Sequence, residues 1–356
     1  MSGFSAFDHA MMRRALELAE KGLYTTTPNP RVGCVITKDE KIVAEGWHER
    51  AGGPHAEVVA LDKVGAAASG ATVYVNLEPC NHHGRTAPCV EALKKARVKR
   101  VVAAMRDPNP QAAHGGAALK VDGIEFEHGL MEEEARELNI GFVSRMTRGR
   151  PWVRLKVAAT LDGRTALSDG KSQWITGEPA RRDGHRWRAR ACAVLTGIGT
   201  VKADNPRLTV REVETPRQPL RVIVDSRIET PPQARILEGG GVLMFSGKSG
   251  TAPRGAELVT LPNPSEKVDL PRMLEELGRR GVNELHVEAG LRLNGSLVRE
   301  GCVDEFLVYL NPSFLGDAAE GMFDLPAFES LERRVALKIL SLERLGTDLR
   351  ILARPA

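Results

Sequence analysis

The sequence predicts an α/β protein of two domains, an N-terminal α/β/α sandwich followed by a second α/β domain. Three observations predict it. The chain has 356 residues, about twice the ~150 typical of one domain. Short apolar runs of strand length alternate with segments of helical period along both halves. Between the halves lies Thr147-Arg148-Gly149-Arg150-Pro151, turn residues combined with exposed charge, which is the composition of a linker. Domain boundaries at 1–147 and 151–356 follow.

In the first half, Met11, Ala15, Leu18 and Ala19 recur at helical spacing within residues 7–22. The loop Thr27-Pro28-Asn29-Pro30 then excludes helix. Residues 32–36 and 41–46 read as strands around a Lys38-Asp39-Glu40 turn, followed by a helix over 54–64, a strand over 72–77, a helix over 89–96 and a strand over 100–105. A charged helix over 131–145 closes this half. In the second half, residues 152–159, 193–198, 220–224, 241–245, 284–287 and 305–310 read as strands, with helices near 180–191 and 270–280.

Hydrophobic residues at 42% and charged residues at 27% exclude a disordered or fibrous chain. Fifty Lys and Arg against 46 Asp and Glu leave a formal charge of +4, too weak and too dispersed for a nucleic-acid surface. Cys34, Cys80, Cys89, Cys192 and Cys302 are odd in number and form no disulfide framework, which favours a reducing compartment and a metal or thiol role. Asp8, Arg13 and Arg14 interrupt the N-terminal apolar pattern, so it reads as an amphipathic helix and not a signal peptide. With no apolar run of membrane-spanning length, the expectation is a cytoplasmic protein without membrane contact.

The strongest local signal is His55-Ala56-Glu57, followed by Pro79-Cys80 and Pro88-Cys89, the ingredients of the zinc deaminase signature. One imidazole and two thiolates give three ligands and leave a fourth position for a water whose pKa zinc lowers to ~7. Glu57 then moves protons from that water to the ring nitrogen and the departing amine. Positions i and i+2 diverge on a regular helix, so His55 belongs at the helix entrance. The competing reading makes Cys80 and Cys89 buried hydrophobes or part of a closed structural zinc site, which would have no use for Glu57. His82 and His83 are rival ligands by residue type, although substrate contact or solvent exposure suits them better.

Zinc deaminases generally place two residues between their cysteines; here eight intervene. Pro79 to Cys89, read as PCNHHGRTAPC, together with PNPRVGCV (28–35), GWHERAGGPHAE (46–57) and DPNP (107–110), resembles the bifunctional deaminase/reductase family of riboflavin biosynthesis. The resemblance continues through LDGRTA (161–166), SQWITG (172–177), LTGIGTVKADNPRLTVR (195–211), VIVDS (222–226) and VEAG (287–290). It implies a cytidine-deaminase-like sandwich that deaminates a phosphoribosylated diaminopyrimidinone, and a dihydrofolate-reductase-like domain that reduces the ribosyl unit to ribityl with NADPH. Carried over by position, His55, Cys80 and Cys89 match the zinc ligands, Glu57 the proton shuttle, and Asn29 and His48 the ring and phosphate contacts. Ala158, Trp174, Thr200, Asp204, Ser226 and Gly290 would line the NADPH site. Ser172, Arg188, Leu208, Arg211 and Glu288 would line the reductase substrate site. Two segments depart from the family: Ala87 stands where many members have proline, and residues 112–117 lack the usual glycine-lysine pattern.

Composition alone would not have shown a reductase, since no G-x-G-x-x-G turn follows a strand. Gly247-Lys248-Ser249 imitates the end of a P-loop, but Val242 occupies the required glycine position, so it reads as a surface turn. Arg181, Arg182, Arg186, Arg188 and Arg190 crowd one predicted helix; a solvated face is the usual meaning of such a run, with Arg188 excepted as a phosphate ligand. Two other functions compete: a deaminase whose second domain has lost catalysis, and a zinc-stabilised nucleic-acid-binding protein. The expected partners are a small phosphorylated pyrimidine and further copies of the chain in a homo-oligomer, without nucleic acid.

Overall fold

A computed structural model describes residues 3–82 and 87–356. The chain divides into two compact units, Met1–Arg148 and Gly149–Ala356. In the first, the order is α1 (Ala6–Glu20), β1 (Gly33–Lys38), β2 (Lys41–Trp47), α2 (Ala56–Val64), β3 (Thr72–Leu77), α3 (Cys89–Lys95), β4 (Arg100–Met105), α4 (Gly115–Val121), β5 (Glu125–His128), α5 (Glu132–Leu138) and α6 (Ile140–Arg148).

Helix α1 starts at a capping box: the Ser5 hydroxyl accepts from the Asp8 amide at 3.1 Å while the Asp8 carboxylate accepts from the Ser5 amide at 2.9 Å. Asp8 also accepts from the Tyr74 hydroxyl at 2.7 Å and from Arg100 at 2.6 Å, which ties α1 to β3 and β4. The five strands are ordered β2-β1-β3-β4-β5. The β1–β2 hairpin and the β1–β3 pair are antiparallel, and β3, β4 and β5 are parallel. One apolar layer joins α2, α3 and α4 to the sheet through Ala56, Ala60, Val90, Leu93 and Leu119. The opposite layer uses Met12 and Ala15 of α1, Ala135 of α5 and Phe142 of α6. Helices therefore cover both faces, giving the expected α/β/α sandwich.

The expected single helix over 131–145 is two. Asn139 breaks it, because its side chain is committed to residue 31: Oδ1 accepts from the Arg31 amide at 2.8 Å and Nδ2 donates to the Arg31 carbonyl at 3.0 Å. Asn76 completes the clamp on the same loop, accepting from the Gly33 amide at 2.8 Å and donating to the Arg31 carbonyl at 2.9 Å. Helix α4 and strand β5 were not legible, since Gly115 and Gly116 at the start of α4 argue against helix by propensity.

The second unit runs β6 (Trp152–Thr160), β7 (Arg164–Ala166), α7 (Glu178–Arg190), β8 (Ala193–Gly197), α8 (Ile198–Asp204), β9 (Leu220–Val224), β10 (Val242–Ser246), β11 (Ala256–Thr260), α9 (Leu270–Arg279), β12 (Glu284–Val287), α10 (Leu291–Arg299), β13 (Glu305–Asn311), β14 (Glu320–Gly321), β15 (Leu337–Leu345) and β16 (Asp348–Pro355). Nine strands form one sheet in the order β11-β10-β9-β8-β12-β6-β13-β16-β15. Every neighbour pair from β11 to β13 is parallel, and the β13–β16 and β15–β16 pairs are antiparallel. The parallel strands carry near-continuous apolar runs, Ala193–Gly197 and Val242–Ser246 being buried throughout, as strands covered on both faces require.

The arginine run on α7 is only partly a solvated face. Arg182 and Arg186 are exposed. Arg181 stacks over Trp174 at 4.7 Å from the ring centre, Arg190 pairs with Glu284 at 2.7 Å, and Arg188 pairs with Glu288. Helical geometry places these three where partners on neighbouring segments can reach them, which a one-dimensional charge count does not see.

Candidate active sites

In the first unit, backbone contact without side chains brings the key segments together. A Cβ on Gly46 of β2 would lie 2.5 Å from the Ala56 carbonyl, so only glycine lets the start of α2 sit against the hairpin. His55 is the cap residue of α2, with extended φ −75° and ψ 159°, and Glu57 falls in the first turn. Their side chains can then serve one site despite the i, i+2 spacing.

His55, Cys80 and Cys89 offer ligand atoms that all lie within 4.8 Å of one another. His55 Nδ1 is 3.1 Å from Cys89 Sγ and 3.5 Å from Cys80 Sγ. Tetrahedral zinc with its usual bond lengths spaces such atoms about 3.5–3.8 Å apart, so the donor set fits zinc with slight expansion. Cys89 begins α3, and its backbone amide donates to Cys80 Sγ at 3.4 Å. The hydrogen bond from the Cys89 thiol draws the Cys80 pKa down, and the same bond together with burial pushes Cys89 up. Two adjacent thiolates repel, and a divalent cation removes that conflict.

Glu57 is 3% exposed, and burial raises its pKa against the opposing pull of His55. A carboxyl poised above its ordinary range suits a group that must both take and return a proton. Asn29 Nδ2 donates to His48 Nε2 at 3.1 Å, which leaves His48 Nδ1 as donor to the Pro54 carbonyl at 2.9 Å. Burial keeps His48 low, consistent with this neutral tautomer, and its ring meets His55 edge-on at 5.6 Å. These residues line a cavity of about 800 Å³, within the range of small-molecule sites.

Further lining residues went unrecognised at first sight. The Asp107 pKa is raised to about 7 by burial, with Glu78, Cys80 and Glu57 nearby. Glu78 accepts from the Gly116 amide at 2.8 Å and from the Asp107 amide at 3.2 Å, fixing the segment that carries Asp107. DPNP was the available signal for Asp107; none marked Phe142 or Arg145 on α6, which line the same cavity. His82 also lines it and stands outside the three-residue ligand cluster. His83 lies outside the described residues.

In the second unit, the geometry links several expected reductase residues. Arg188 Nη2 donates to Glu288 at 2.9 Å, and Nη1 donates to the Thr209 carbonyl at 3.1 Å. Arg211 Nη1 reaches the same carbonyl at 3.4 Å. Burial works against the Glu288 carboxylate, yet the Arg188 and Lys156 charges hold its pKa well below the usual range. Burial and the charges of Arg188 and Arg211 depress His185 to about 4, and its Nδ1 accepts from the Arg211 amide at 3.2 Å. Ser172 donates to Asp204 at 3.3 Å, and a Cβ on Gly290 would touch Thr200 Oγ1 at 3.6 Å. Leu208 is buried with φ 53°, and Ala158 packs against the buried cluster of Ala180, Leu307 and Tyr309. The Ser226 hydroxyl accepts from the Val268 amide at 3.2 Å. Trp174 is 70% exposed, with the Arg181 guanidinium over its ring.

The sandwich with its His-Cys-Cys donor set and buried carboxyl defines a zinc-dependent deaminase domain, here followed by a second domain of different chemistry. The family model for the cytidine and deoxycytidylate deaminase zinc-binding region matches residues 5–105, and that for the RibD C-terminal domain matches residues 151–351. Riboflavin biosynthesis protein RibD of Escherichia coli is 46% identical, with 96% of this chain and 97% of that protein covered. The Haemophilus influenzae protein of the same name is 44% identical, with coverage of 100% and 99%. The solved structure of Acinetobacter baumannii RibD superposes with a TM-score of 0.92 at 43% identity, covering 98% of this chain and 99% of that one. A Thermotoga maritima diaminohydroxyphosphoribosylaminopyrimidine deaminase/5-amino-6-(5-phosphoribosylamino)uracil reductase gives 0.90 at 34% identity, with the same coverage. The chain belongs to the RibD family: it is a bifunctional enzyme of riboflavin biosynthesis with a zinc-binding deaminase domain and an NADPH-using reductase domain. No helix among the described residues is long and apolar enough to cross a membrane.

Proposed function

We propose that residues 1–147 deaminate 2,5-diamino-6-(5-phosphoribosylamino)pyrimidin-4-one and that residues 151–356 then reduce the ribosyl side chain of the product to ribityl. The observation that carries the first half is the His55, Cys80 and Cys89 cluster, with His55, Cys80 and the buried Glu57 on the wall of one cavity. Zinc bound by these three side chains supplies the Lewis acidity that lets water ionise near neutral pH. Glu57 would take one proton from the attacking water and give it to the ring nitrogen, then take the proton of the newly added hydroxyl and give it to the amine, which leaves as ammonia. His48 and Asn29, already bonded to each other, present donors and acceptors to the substrate.

In the reductase, Arg188, Arg211, Glu288, Ser172 and Leu208 bind substrate, while Ala158, Trp174, Thr200, Asp204, Ser226 and Gly290 hold NADPH, which supplies the hydride. The Ser172–Asp204 bond and the approach of Gly290 to Thr200 support one shared site on these segments. The side-chain-free entrance at Gly290 opens α10 and suits a cofactor phosphate. We place the enzyme in the cytoplasm. A homo-oligomer is supported by strand β15, an edge strand with Ile339 58% and Leu342 57% exposed.

Supplying purified protein with the diaminopyrimidinone phosphoriboside, with and without NADPH, tests the whole reading. Mass spectrometry should show loss of the amine in both samples and gain of two hydrogens only with NADPH. An unchanged substrate in zinc-loaded protein would overturn it.

A further inference from the structure

Zinc and Glu57 account for one end of the deaminase cavity. The charges of its wall show what the other end does. We propose that Arg145 is a specificity-determining residue of the deaminase, anchoring the phosphate at the far end of its phosphoribosyl substrate. The proposal rests on the substrate assigned above.

A phosphate dianion needs a cation, and the metal end of the cavity is committed to the reacting ring. Glu57, Glu78 and Asp107 line the cavity together with His55 and Cys80. Carboxyl side chains cannot pair with a phosphate dianion, so its partner lies elsewhere on the wall. Among the described lining residues, Arg145 is the one Lys or Arg. Its guanidinium presents a planar fork that matches phosphate oxygens in pairs.

Its position follows from the clamp on α6. Asn139, 1% exposed, bonds both backbone groups of Arg31, and Arg31 Nη1 returns a bond to the Leu138 carbonyl at 2.6 Å. The start of α6 is thereby fixed to the loop that carries Asn29. Six residues on from Asn139, Arg145 Nη2 donates to the Pro28 carbonyl at 3.4 Å, one residue before Asn29. Asn29 in turn bonds His48, whose ring contacts His55. A chain of direct contacts therefore runs from the metal ligands through His48 and Asn29 to the segment beside Arg145. A substrate with its ring at Glu57 and its sugar passing Asn29 presents its phosphate to Arg145. Phe142 and Met146 of the same helix line the cavity with it.

The test compares the phosphoriboside with its dephosphorylated riboside as deaminase substrates, using the zinc-loaded full chain and Arg145→Gln and Arg145→Met variants. Both variants should lose about 10- to 100-fold in kcat/KM for the phosphorylated compound, mainly through KM, as loss of a charge-assisted bond present in ground and transition states alike predicts. The riboside should lose far less, so the preference for phosphate collapses. Ribose 5-phosphate should inhibit wild-type deamination competitively and inhibit the variants at least about 10-fold more weakly. Zinc content and NADPH-dependent reduction report folding of each variant. Variants that keep the wild-type preference and inhibition refute the role of Arg145 alone. A wild-type chain that deaminates neither compound refutes the substrate reading and this proposal with it.

Discussion

Gly115→Ala tests whether the zinc site depends on backbone packing far from the ligands in sequence. Gly115 opens α4, and a Cβ there would sit 1.8 Å from the Pro79 carbonyl oxygen and 3.2 Å from Val90 Cγ2. Because such contacts essentially never fall below 3.0 Å, the two segments must separate by at least about 1.2 Å. Relief by local bending is restricted. The Asn81 amide bonds the Ala112 carbonyl at 3.1 Å, and Glu78 bonds the Gly116 amide, so both flanks of Pro79 are already stitched to this turn. Cys80 follows Pro79 directly and moves with it. Zinc–ligand distances tolerate only about 0.2 Å. A loss of about 10- to 100-fold in zinc affinity is therefore expected, the scale seen when support for a ligand is removed. Chelator competition measures the affinity, and thermal unfolding with and without zinc reports the coupling. Gly184→Ala on α7, where a Cβ meets nothing within 4 Å, is the control and should be neutral or stabilising by up to ~1 kcal/mol. Wild-type zinc affinity and stability in Gly115→Ala would refute the packing argument.

Glu57→Gln should retain zinc while deamination falls about 100-fold or more; reduction of deaminated intermediate supplied from outside should survive, and its loss would mean one composite site. Arg188→Ala should destabilise the second unit by about 1–3 kcal/mol, because it leaves the half-buried Glu288 carboxylate with Lys156 at 3.7 Å as a remaining basic side-chain partner. Exposed Arg211→Ala should not, although both variants should weaken use of the reductase substrate; urea unfolding separates them. In zinc-free protein, Asp107→Asn should stabilise more at pH 8 than at pH 5. The Asp107 pKa rises from 3.8 to about 7 on folding, so its contribution is fully favourable below 3.8 and is lost as pH rises through 7. Equal gains in melting temperature at the two pH values would contradict the raised pKa.

Residue by residue, the sequence was most readable where burial is two-sided. The strands Thr72–Leu77, Arg100–Met105, Leu220–Val224 and Glu284–Val287 begin and end where the apolar runs do. Strand β15 was unreadable because seven of its nine positions are exposed and the other two only half-buried, leaving no alternation to detect. The break at Asn139 needed a partner 108 residues away. In the deaminase, His55, Glu57, Cys80 and Cys89 were legible because ligand chemistry demands those residue types at fixed places. Asp107 and Arg145 owe their positions to tertiary bonds instead. The reductase residues had no motif of their own and became visible only through resemblance.

Strand order also bears on how the enzyme is made. Within residues 1–148, every strand pairs with one that is already present or follows within a few dozen positions, so this unit can fold while the remainder is still being translated. The nine-stranded sheet cannot. Strand β16 lies between β13 and β15, and Asp348 at its start bonds the Gly177 amide and the Asn311 side chain, each at 2.7 Å. The sheet closes only after residue 355 has emerged from the ribosome, so metal capture by the first unit can precede completion of the second.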